Sequence, residues 1–290
     1  MKRSALSQTV IYILTSLVAL ICFLPVLLML MVSITDENAI ESYGYQLIPK
    51  KISFSAYQMI FSNGSNVLRA FSLSTFVTIV GTVLAVIITT GCAYTLANKS
   101  VKYRNTLALI FFIPMIFHAG MVPWYLVCQQ IGLRNNIAAL IIPSLLFSSF
   151  NLFLVRNFMA DIPDALRESA TLDGANDITI AFRIYLPLCL PVLATIALFY
   201  GLAYWNDWWN AIMLVDDSKM YPLQYFLLEI QSQISMLNEV GSDAGISEIA
   251  LPTEAVKMAT AVVTIGPIVL LYPYLQKYFV SGLTIGSVKG

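Results

Sequence analysis

Residues 10–32 read VIYILTSLVALICFLPVLLMLMV, an apolar run without a charged residue. A helix needs about 20 apolar residues to cross the hydrocarbon core of a bilayer, and this run is long enough for one passage. Lys2 and Arg3 precede it, as in a secretory signal, but the run is too long for a signal's apolar region and no small-x-small cleavage site follows it. The stretch therefore predicts an uncleaved first transmembrane helix.

Composition extends this interpretation to the whole chain. The 290 residues are 58% hydrophobic and 11% charged, whereas a soluble domain carries about 25% charged residues. The 16 basic and 16 acidic residues cancel to zero net charge, so the chain lacks the basic field that nucleic-acid binding requires. We expect an all-α membrane protein with one transmembrane domain, residues 1–290, that contacts the lipid bilayer and binds no nucleic acid.

Five further stretches have the length and apolarity of membrane-spanning helices. The six predicted spans are residues 10–33, 68–97, 106–128, 137–155, 188–214 and 258–279. Prolines and glycines inside such spans are tolerated, because neighbouring helices satisfy the freed backbone groups. Three long segments separate the spans: 34–67 and 215–257 on one side of the membrane, and 157–187 on the other.

The distribution of basic residues predicts the orientation, because Lys and Arg near helix ends are retained in the cytoplasm. With the N-terminus inside, ten basic residues are cytoplasmic: Lys2, Arg3, Lys99, Lys102, Arg104, Arg156, Arg167, Arg183, Lys277 and Lys289. Six lie outside: Lys50, Lys51, Arg69, Arg134, Lys219 and Lys257. The excess favours an N-in, C-in topology with 34–67 and 215–257 as outer loops and 157–187 as a cytoplasmic loop.

The cytoplasmic loop contains the strongest motif. Residues 161–177 read DIPDALRESATLDGAND. The pattern predicts a short helix that Asp161 caps, with Pro163 in the first turn and Gly174 ending it in a left-handed conformation. A second short helical run leads to Pro187, and the two form a protruding elbow whose small residues would let a partner approach closely.

The elbow resembles a family signature. ESATLDGA at 168–175, followed by FRIYLP at 182–187, is similar to the E-A-A…D-G-A…I-x-L-P motif of binding-protein-dependent ABC transporter permeases. The matching positions, which the resemblance assigns to coupling with an ATPase, are Glu168, Ser169, Ala170, Asp173, Gly174, Ala175, Ile184, Leu186 and Pro187. Ser169 is a small-for-small departure from the family's alanine.

The resemblance extends to the six-span plan and to the tail, residues 278–290, of maltose-type carbohydrate permeases, in particular their MalG-like second subunit. It implies a type I ABC importer permease fold in the bacterial inner membrane. The implied partners are a second, different permease subunit, two ATP-binding cassette subunits and an extracellular solute-binding protein that delivers a sugar or oligosaccharide.

No enzymatic site is expected in the chain itself. The phosphate-binding pattern G-x-x-x-x-G-K-[ST] is absent from the sequence, so ATP and Mg²⁺ would be bound and hydrolysed by the partner. The single histidine, His118, and four cysteines without C-x-x-C spacing indicate neither a metal site nor catalysis. We expect a transport subunit that binds no cofactor.

The fifth predicted span ends in a dense group of aromatic and polar residues: Tyr204, Trp205, Asn206, Asp207 and Trp208. Aromatic faces stack on sugar rings, and Asn and Asp bond their hydroxyls, so this group is a candidate substrate path. Trp and Tyr also accumulate at membrane interfaces, which is the competing interpretation.

Two other transport functions stay open. A permease for peptides or other polar solutes would carry the same elbow motif. An ion-coupled secondary transporter would place ionisable groups near the bilayer midplane, often in two related halves, and the sequence shows neither feature.

Overall fold

The computed structural model describes residues 5–62, 64–243 and 253–285, which fold into helices and connecting turns. The helices are α1 (Ala5–Ser33), α2 (Glu37–Tyr43), α3 (Ser55–Phe61), α4 (Gly64–Ala97), α5 (Arg104–Ile116), α6 (Met121–Gln130), α7 (Ala138–Ile141), α8 (Ser149–Ala160), α9 (Asp164–Leu172), α10 (Asp177–Ile180), α11 (Leu186–Leu188), α12 (Leu190–Trp205), α13 (Trp209–Leu214), α14 (Leu223–Asp243) and α15 (Thr253–Ile285). A π-helical turn, Ala181–Tyr185, and a 3₁₀ turn, Ser218–Met220, complete the order.

The first two predicted spans correspond to long apolar helices. Among the described residues, Gln8–Ser33 and Asn66–Ala97 are helical segments long and apolar enough to cross a bilayer. Two pairs of consecutive helices, each bent at a short break, are also long and apolar enough when a pair is counted as one span. They are Arg104–Ile116 with Met121–Gln130, and Asp177–Leu188 with Leu190–Trp205. The predicted tail, residues 278–290, lies partly outside the described residues, which end at 285.

The third predicted span, 106–128, is not one helix. α5 and α6 are bent by 118° at the break. Phe117 is extended and Gly120 has a φ of +85°, a region that favours glycine because a Cβ would clash with the backbone. The predicted span 106–128 therefore contains a sharp break at Gly120 between two helices.

The fourth and fifth predicted spans are interrupted as well. Between α7 and α8 the chain turns at Pro143 and at Ser144, which has a φ of +64°. α12 begins 81° away from the preceding helical segment, and it ends at Trp205, before a separate α13. Proline has no N–H for the helical ladder, which accounts for the break at 143.

The chain divides into two compact units. Unit 1 comprises residues 1–68 and 226–269, and unit 2 comprises 69–225 and 270–290. In unit 1, Thr35 and Ile52 form an isolated antiparallel bridge, and Tyr57 Oη lies 2.9 Å from Ser33 Oγ. The predicted outer loop 34–67 is thus folded around α2 and α3.

The second predicted outer loop, 215–257, contains a long helix. This helix, α14, runs from Leu223 to Asp243. Residues 244–252 of this loop lie outside the described residues.

The core of unit 2 is built from α4, α7, α8 and α12. Its members include the fully buried Leu96, Leu140, Leu152 and Ile196. At the other end of unit 2, Asn135 Oδ1 accepts from the amides of Asp216 and Asp217 at 2.9 and 3.0 Å. Arg134 pairs with Asp216 at 3.0 Å, so the α6–α7 turn is fastened to the segment after α13.

Candidate functional site: the elbow and an adjoining cavity

The elbow, defined here as residues 161–188, leaves α8 and returns to α12 through two short helices. Its first helix begins at Asp164, with Pro163 at the cap position and no side-chain cap bond. Asp161 lies at the C-terminal cap of α8, and the expectation that its side chain caps α9 stays a prediction. Pro163 fixes the backbone just before the first turn.

Gly174 ends α9 as the sequence predicts. Its φ is +80°. The Ala175 amide donates to the Ala170 carbonyl at 2.9 Å, and the Gly174 amide to the Thr171 carbonyl at 3.0 Å. This pair of bonds is the Schellman arrangement, which satisfies the last carbonyls of a helix. The D-G-A part of the motif is therefore a helix stop.

The second half of the elbow starts and ends with defined backbone features. Asn176 caps α10 by accepting from the Thr179 amide at 2.8 Å. The Leu186 amide then donates to the Ala181 carbonyl, five residues earlier. Such π-helical turns are uncommon and occur frequently at functional sites. Pro187 lies in the first turn of α11, a position that does not need its missing N–H.

The structure divides the predicted coupling residues into two groups. Those that pack against the core of unit 2 are Ala170, Ala175, Ile184 and Leu186. Those that are exposed are Glu168, Ser169, Asp173, Gly174 and Pro187. The motif thus contains a set that fixes the elbow in place and a set that faces outward.

Several apolar side chains of the elbow are exposed to an unusual degree. Leu172 is 90% exposed, Ile178 is 70% and Phe182 is 65%. Exposed apolar surface that is contiguous marks sites where a protein or membrane partner binds. These three side chains, together with the exposed Glu168 and Ser169, are therefore candidates for a docking surface.

A charged contact joins the elbow to the loop after α4. Lys99 forms an ion pair with Asp164. The Lys99 ammonium holds the pKa of the Asp164 carboxyl below its usual range. Because both side chains are substantially exposed, this pair orients the elbow more than it stabilises the fold.

The candidate substrate residues near the end of α12 have intramolecular partners. Tyr204 is buried, and its hydroxyl donates to the Ile141 carbonyl at 2.8 Å. Asp207 accepts from the amides of Trp209 and Asn210 at 3.1 and 3.2 Å, which are the first-turn donors of α13. Both residues therefore have a structural task in this conformation.

The other members of the group are more accessible. Trp205 packs edge-on against Phe71 with ring centroids 5.8 Å apart. Trp208 is 42% exposed and Asn206 is also exposed. The Asn206 Nδ2 donates to the Leu202 carbonyl at 2.8 Å. Their role in a substrate path stays a prediction.

An open cavity of about 350 Å³, lined by apolar surface with a few polar groups, lies between α8 and α12. Its lining is Ser144, Leu145, Ser148, Phe150, Asn151, Phe199, Tyr200 and Ala203. The Tyr200 hydroxyl accepts from the Ser148 amide at 3.0 Å and lies 2.7 Å from Thr89 Oγ1. Aromatic walls with a few fixed polar groups are characteristic of small-molecule sites.

Of these cavity residues, the sequence draws attention to Tyr200, which belongs to the same aromatic run of the fifth predicted span as Tyr204, whereas Ser148 and Asn151 were missed. Ser148 and Asn151 lie in a predicted span, where their polarity is the available signal, since polar side chains inside membrane segments face protein or water. Tyr200 precedes the aromatic group by one helical turn and lies on the face that meets α4. Periodicity relative to Tyr204 indicates it, because residues four apart share a helix face.

The chain is similar to known proteins along its whole length. Residues 104–285 match the family model described as binding-protein-dependent transport system inner membrane component. The polygalacturonan/rhamnogalacturonan transport system permease protein YtcP of Bacillus subtilis (strain 168) is 37% identical, over 99% of this chain and 100% of that protein.

Two further likenesses agree with these. The arabinooligosaccharides transport system permease protein AraQ of Halalkalibacterium halodurans is 28% identical over 100% of this chain and 99% of that protein. A crystal structure of a bacterial ABC transporter involved in the import of the acidic polysaccharide alginate has a chain with a TM-score of 0.79 and 30% identity, covering 96% of this chain and 98% of that chain. The elbow motif, the helical fold and these matches together show that the chain belongs to the family of inner membrane permease components of binding-protein-dependent ABC transporters.

Proposed function

We propose that this permease imports a sugar or oligosaccharide. The observation that carries the proposal is the 37% identity, over 99% of the chain, to a permease named for polygalacturonan and rhamnogalacturonan transport. The likeness to a chain of an alginate importer supports the same substrate class. An importer for chains of sugar units needs a path that tolerates several rings, and an open cavity with aromatic walls and a few polar groups suits that task.

The membrane topology that we propose has six passages and both termini in the cytoplasm. α1, α4, the two bent pairs and α15 supply five of these passages, and the segment from α7 to α8 supplies the remaining one. The excess of basic residues on the elbow side supports this orientation. In this arrangement residues 1–290 form one permease domain, and the elbow faces the cytoplasm.

The proposed transporter contains four membrane-associated subunits and a delivery protein. A second permease of different sequence completes the path, and two ATP-binding cassette subunits dock on the elbow. ATP and Mg²⁺ bind to those subunits, and this chain holds no cofactor. An external solute-binding protein docks on segments 34–67 and 215–257, which carry the acidic residues Asp36, Glu37, Glu41, Asp216 and Asp217.

The proposed substrate contacts lie along the cavity between α8 and α12 and continue to the exposed Asn206 and Trp208. Ser144, Ser148 and Asn151 offer groups that bond sugar hydroxyls. Phe150 and Phe199 offer rings for the apolar faces of a sugar. Tyr204 and Asp207 would position the substrate contacts and not touch the substrate, since both hold the end of α12 in place.

A transport assay with defined substrates tests the proposal. The complete transporter is reconstituted in liposomes with its binding protein, and uptake of labelled neutral oligosaccharides, acidic oligosaccharides and short peptides is compared with and without ATP. ATP-dependent uptake of one of the oligosaccharide classes is expected. Uptake of peptides alone supports the second candidate, a polar-solute permease with the same elbow, and uptake without ATP supports an ion-coupled transporter.

A further inference from the structure

Arg167 connects the elbow to the loop that follows α4. Its Nη1 donates to Asn98 Oδ1 at 2.7 Å, and its Nη2 donates to Ser100 Oγ at 2.6 Å. The same Asn98 oxygen also accepts from the Ser100 amide at 2.9 Å, so the loop is already folded around the acceptor. A planar guanidinium can bridge two acceptors in this way, whereas an ammonium cannot reproduce the fork.

Two more contacts join the elbow to the same end of α4. Lys99 pairs with Asp164 at the start of α9. Tyr94, in the last turn of α4, donates to the Asp177 carbonyl at 3.3 Å and packs edge-on against Tyr185 with centroids 5.2 Å apart. Both halves of the elbow are thus attached to one short stretch of chain, residues 94–100.

The attachment uses one face of α9 and leaves the other open. Residues along a helix are separated by about 100°, so Arg167 and the half-buried Ala170 lie opposite Ala165, Ser169 and Leu172. The latter three are exposed. A partner can therefore cover the open face without displacing Arg167.

The attached helix leads to the cavity. One and a half turns before Tyr94, Thr89 of α4 is buried, and its Oγ1 lies 2.7 Å from the Tyr200 hydroxyl. Tyr200 lines the cavity and accepts from the Ser148 amide of the α7–α8 turn. The helix α4 therefore connects the loop that Arg167 holds to the cavity wall at Thr89 and Tyr200.

We propose that Arg167, supported by the Asp164–Lys99 pair, is a positioning residue that clamps the elbow to α4, so that force applied to the open face of α9 moves α4 and changes the cavity at Tyr200. This inference rests on the proposed function, in which ATPase subunits act on the elbow. Without the clamp, those subunits still dock and hydrolyse ATP, but the movement does not reach the cavity.

Labelling of a cysteine in the cavity tests the clamp. In the complete transporter the native cysteines of this chain are replaced by serine, and Ala203→Cys places a reporter in the lining. The rate of its reaction with a membrane-impermeant maleimide is measured with and without ATP and vanadate. The native elbow is expected to give two different rates, and Arg167→Ala is expected to make them equal while the ATPases still co-purify and hydrolyse ATP.

Matched variants separate a clamp from a merely structural role. Lys102→Ala, which removes an exposed lysine of the same loop, is expected to keep the native difference in rates. Asp164→Lys and Lys99→Asp are each expected to reduce it, and the double exchange is expected to restore it. If the Arg167→Ala transporter fails to assemble, the double exchange of Asp164 and Lys99 decides. A restored difference in labelling rates supports the clamp, and a difference that is not restored overturns it.

Two results would overturn the proposal in different ways. An Arg167→Ala transporter that keeps the native ATP-dependent difference has no clamp at this residue, while the proposed function stands. A native transporter that imports its substrate with ATP but whose reporter does not respond to ATP has no link from the elbow to the cavity, which overturns the clamp and leaves the proposed function standing. A native transporter without ATP-dependent uptake of oligosaccharides overturns the proposed function.

Discussion

Glu37 shows how one carboxylate can organise a helix from another part of the chain. It is 6% exposed, and its two oxygens accept from the amides of Glu254 and Ala255 at 2.8 and 3.1 Å. These amides belong to the first turn of α15, where backbone donors have no helical partner. Burial raises the pKa of Glu37 above its ordinary value, although the two amide bonds partly oppose the shift.

The neighbours of Glu37 carry their own charges. Glu254 pairs with Lys257 at 2.7 Å and accepts from the Tyr45 hydroxyl at 2.6 Å. The pKa of Glu254 is lowered, first by Lys257 and then by Tyr45. The bond to Glu254 raises the pKa of Tyr45 to about 12. Of the two carboxyl groups, Glu37 is therefore the one whose ionisation is opposed by its surroundings.

The raised pKa of Glu37 predicts a pH dependence. The folded protein holds this proton more tightly than the unfolded chain, so the free energy of unfolding falls as the pH rises from 4.5, the ordinary pKa, through the raised value, and then levels off. Glu37→Gln removes the ionisation. The Tm of the purified native transporter minus that of the Glu37→Gln transporter is the quantity to measure. This difference is expected to decrease as the pH rises over this window, and a difference that increases with pH contradicts the account.

Asp207 illustrates what a residue's identity leaves open. An Asp near the end of an apolar span predicts a contact with protein or water, and the sequence alone does not separate a substrate contact from a cap. The structure gives Asp207 the amides of Trp209 and Asn210 as partners. The sequence does not show that α12 ends at Trp205, because local helix propensity does not predict where such an apolar helix ends.

At the scale of the element, α4 depends on small residues that let another helix approach. A Cβ placed on Gly81 would lie 2.4 Å from Cζ of Tyr204, whose ring is held by the bond to the Ile141 carbonyl. Gly91, on the same helix, has no heavy atom within 4 Å of the corresponding position. The two glycines form a matched pair that separates packing from helix propensity.

Gly81→Ala is expected to destabilise the protein by about 1–3 kcal/mol, the usual effect of an added methyl in a filled core. Gly91→Ala is expected to be neutral or to stabilise by up to about 1 kcal/mol, since alanine favours the helix over glycine. Thermal unfolding of both variants in the same detergent checks the order. Equal effects of the two substitutions would show that the Tyr204 contact does not constrain α4.

The helices themselves could be predicted from sequence where apolar runs are uninterrupted, as in α1 and α4. The breaks could not be placed in the same way. Gly120 and Pro143 are visible signals, but residues of these types are also tolerated inside membrane helices, so their effect depends on the surrounding helices. In the elbow, Gly174 was predicted correctly because a left-handed C-terminal stop is a local property.

At the scale of the whole molecule, polar side-chain contacts hold two connecting segments of unit 2 in place. Asn135 and Arg134 hold the segment after α13, and Arg167 holds the loop after α4. The cavity and the buried Tyr204 belong to the same unit. This arrangement suits a subunit that receives a movement at its elbow and changes the access to a polar path.

The family's coupling motif was recognisable in the sequence, whereas the clamp was not. Glu168 to Ala175 form a contiguous signature. Arg167 and Asn98 are 69 residues apart, Tyr94 and Asp177 are 83 residues apart, and only the fold brings each pair together. Long-range polar pairs of this kind are the part of the site that a single sequence does not predict.

The central claim is that this permease is coupled to ATP hydrolysis through its elbow. Stimulation of ATP hydrolysis by the substrate-loaded binding protein is measured in the reconstituted transporter with the native chain and with Glu168→Lys, which reverses an exposed charge on α9. The account predicts that the variant assembles with its partners but loses the stimulated hydrolysis and the uptake. Uptake by the native chain that continues in a transporter lacking its ATPase subunits would contradict it.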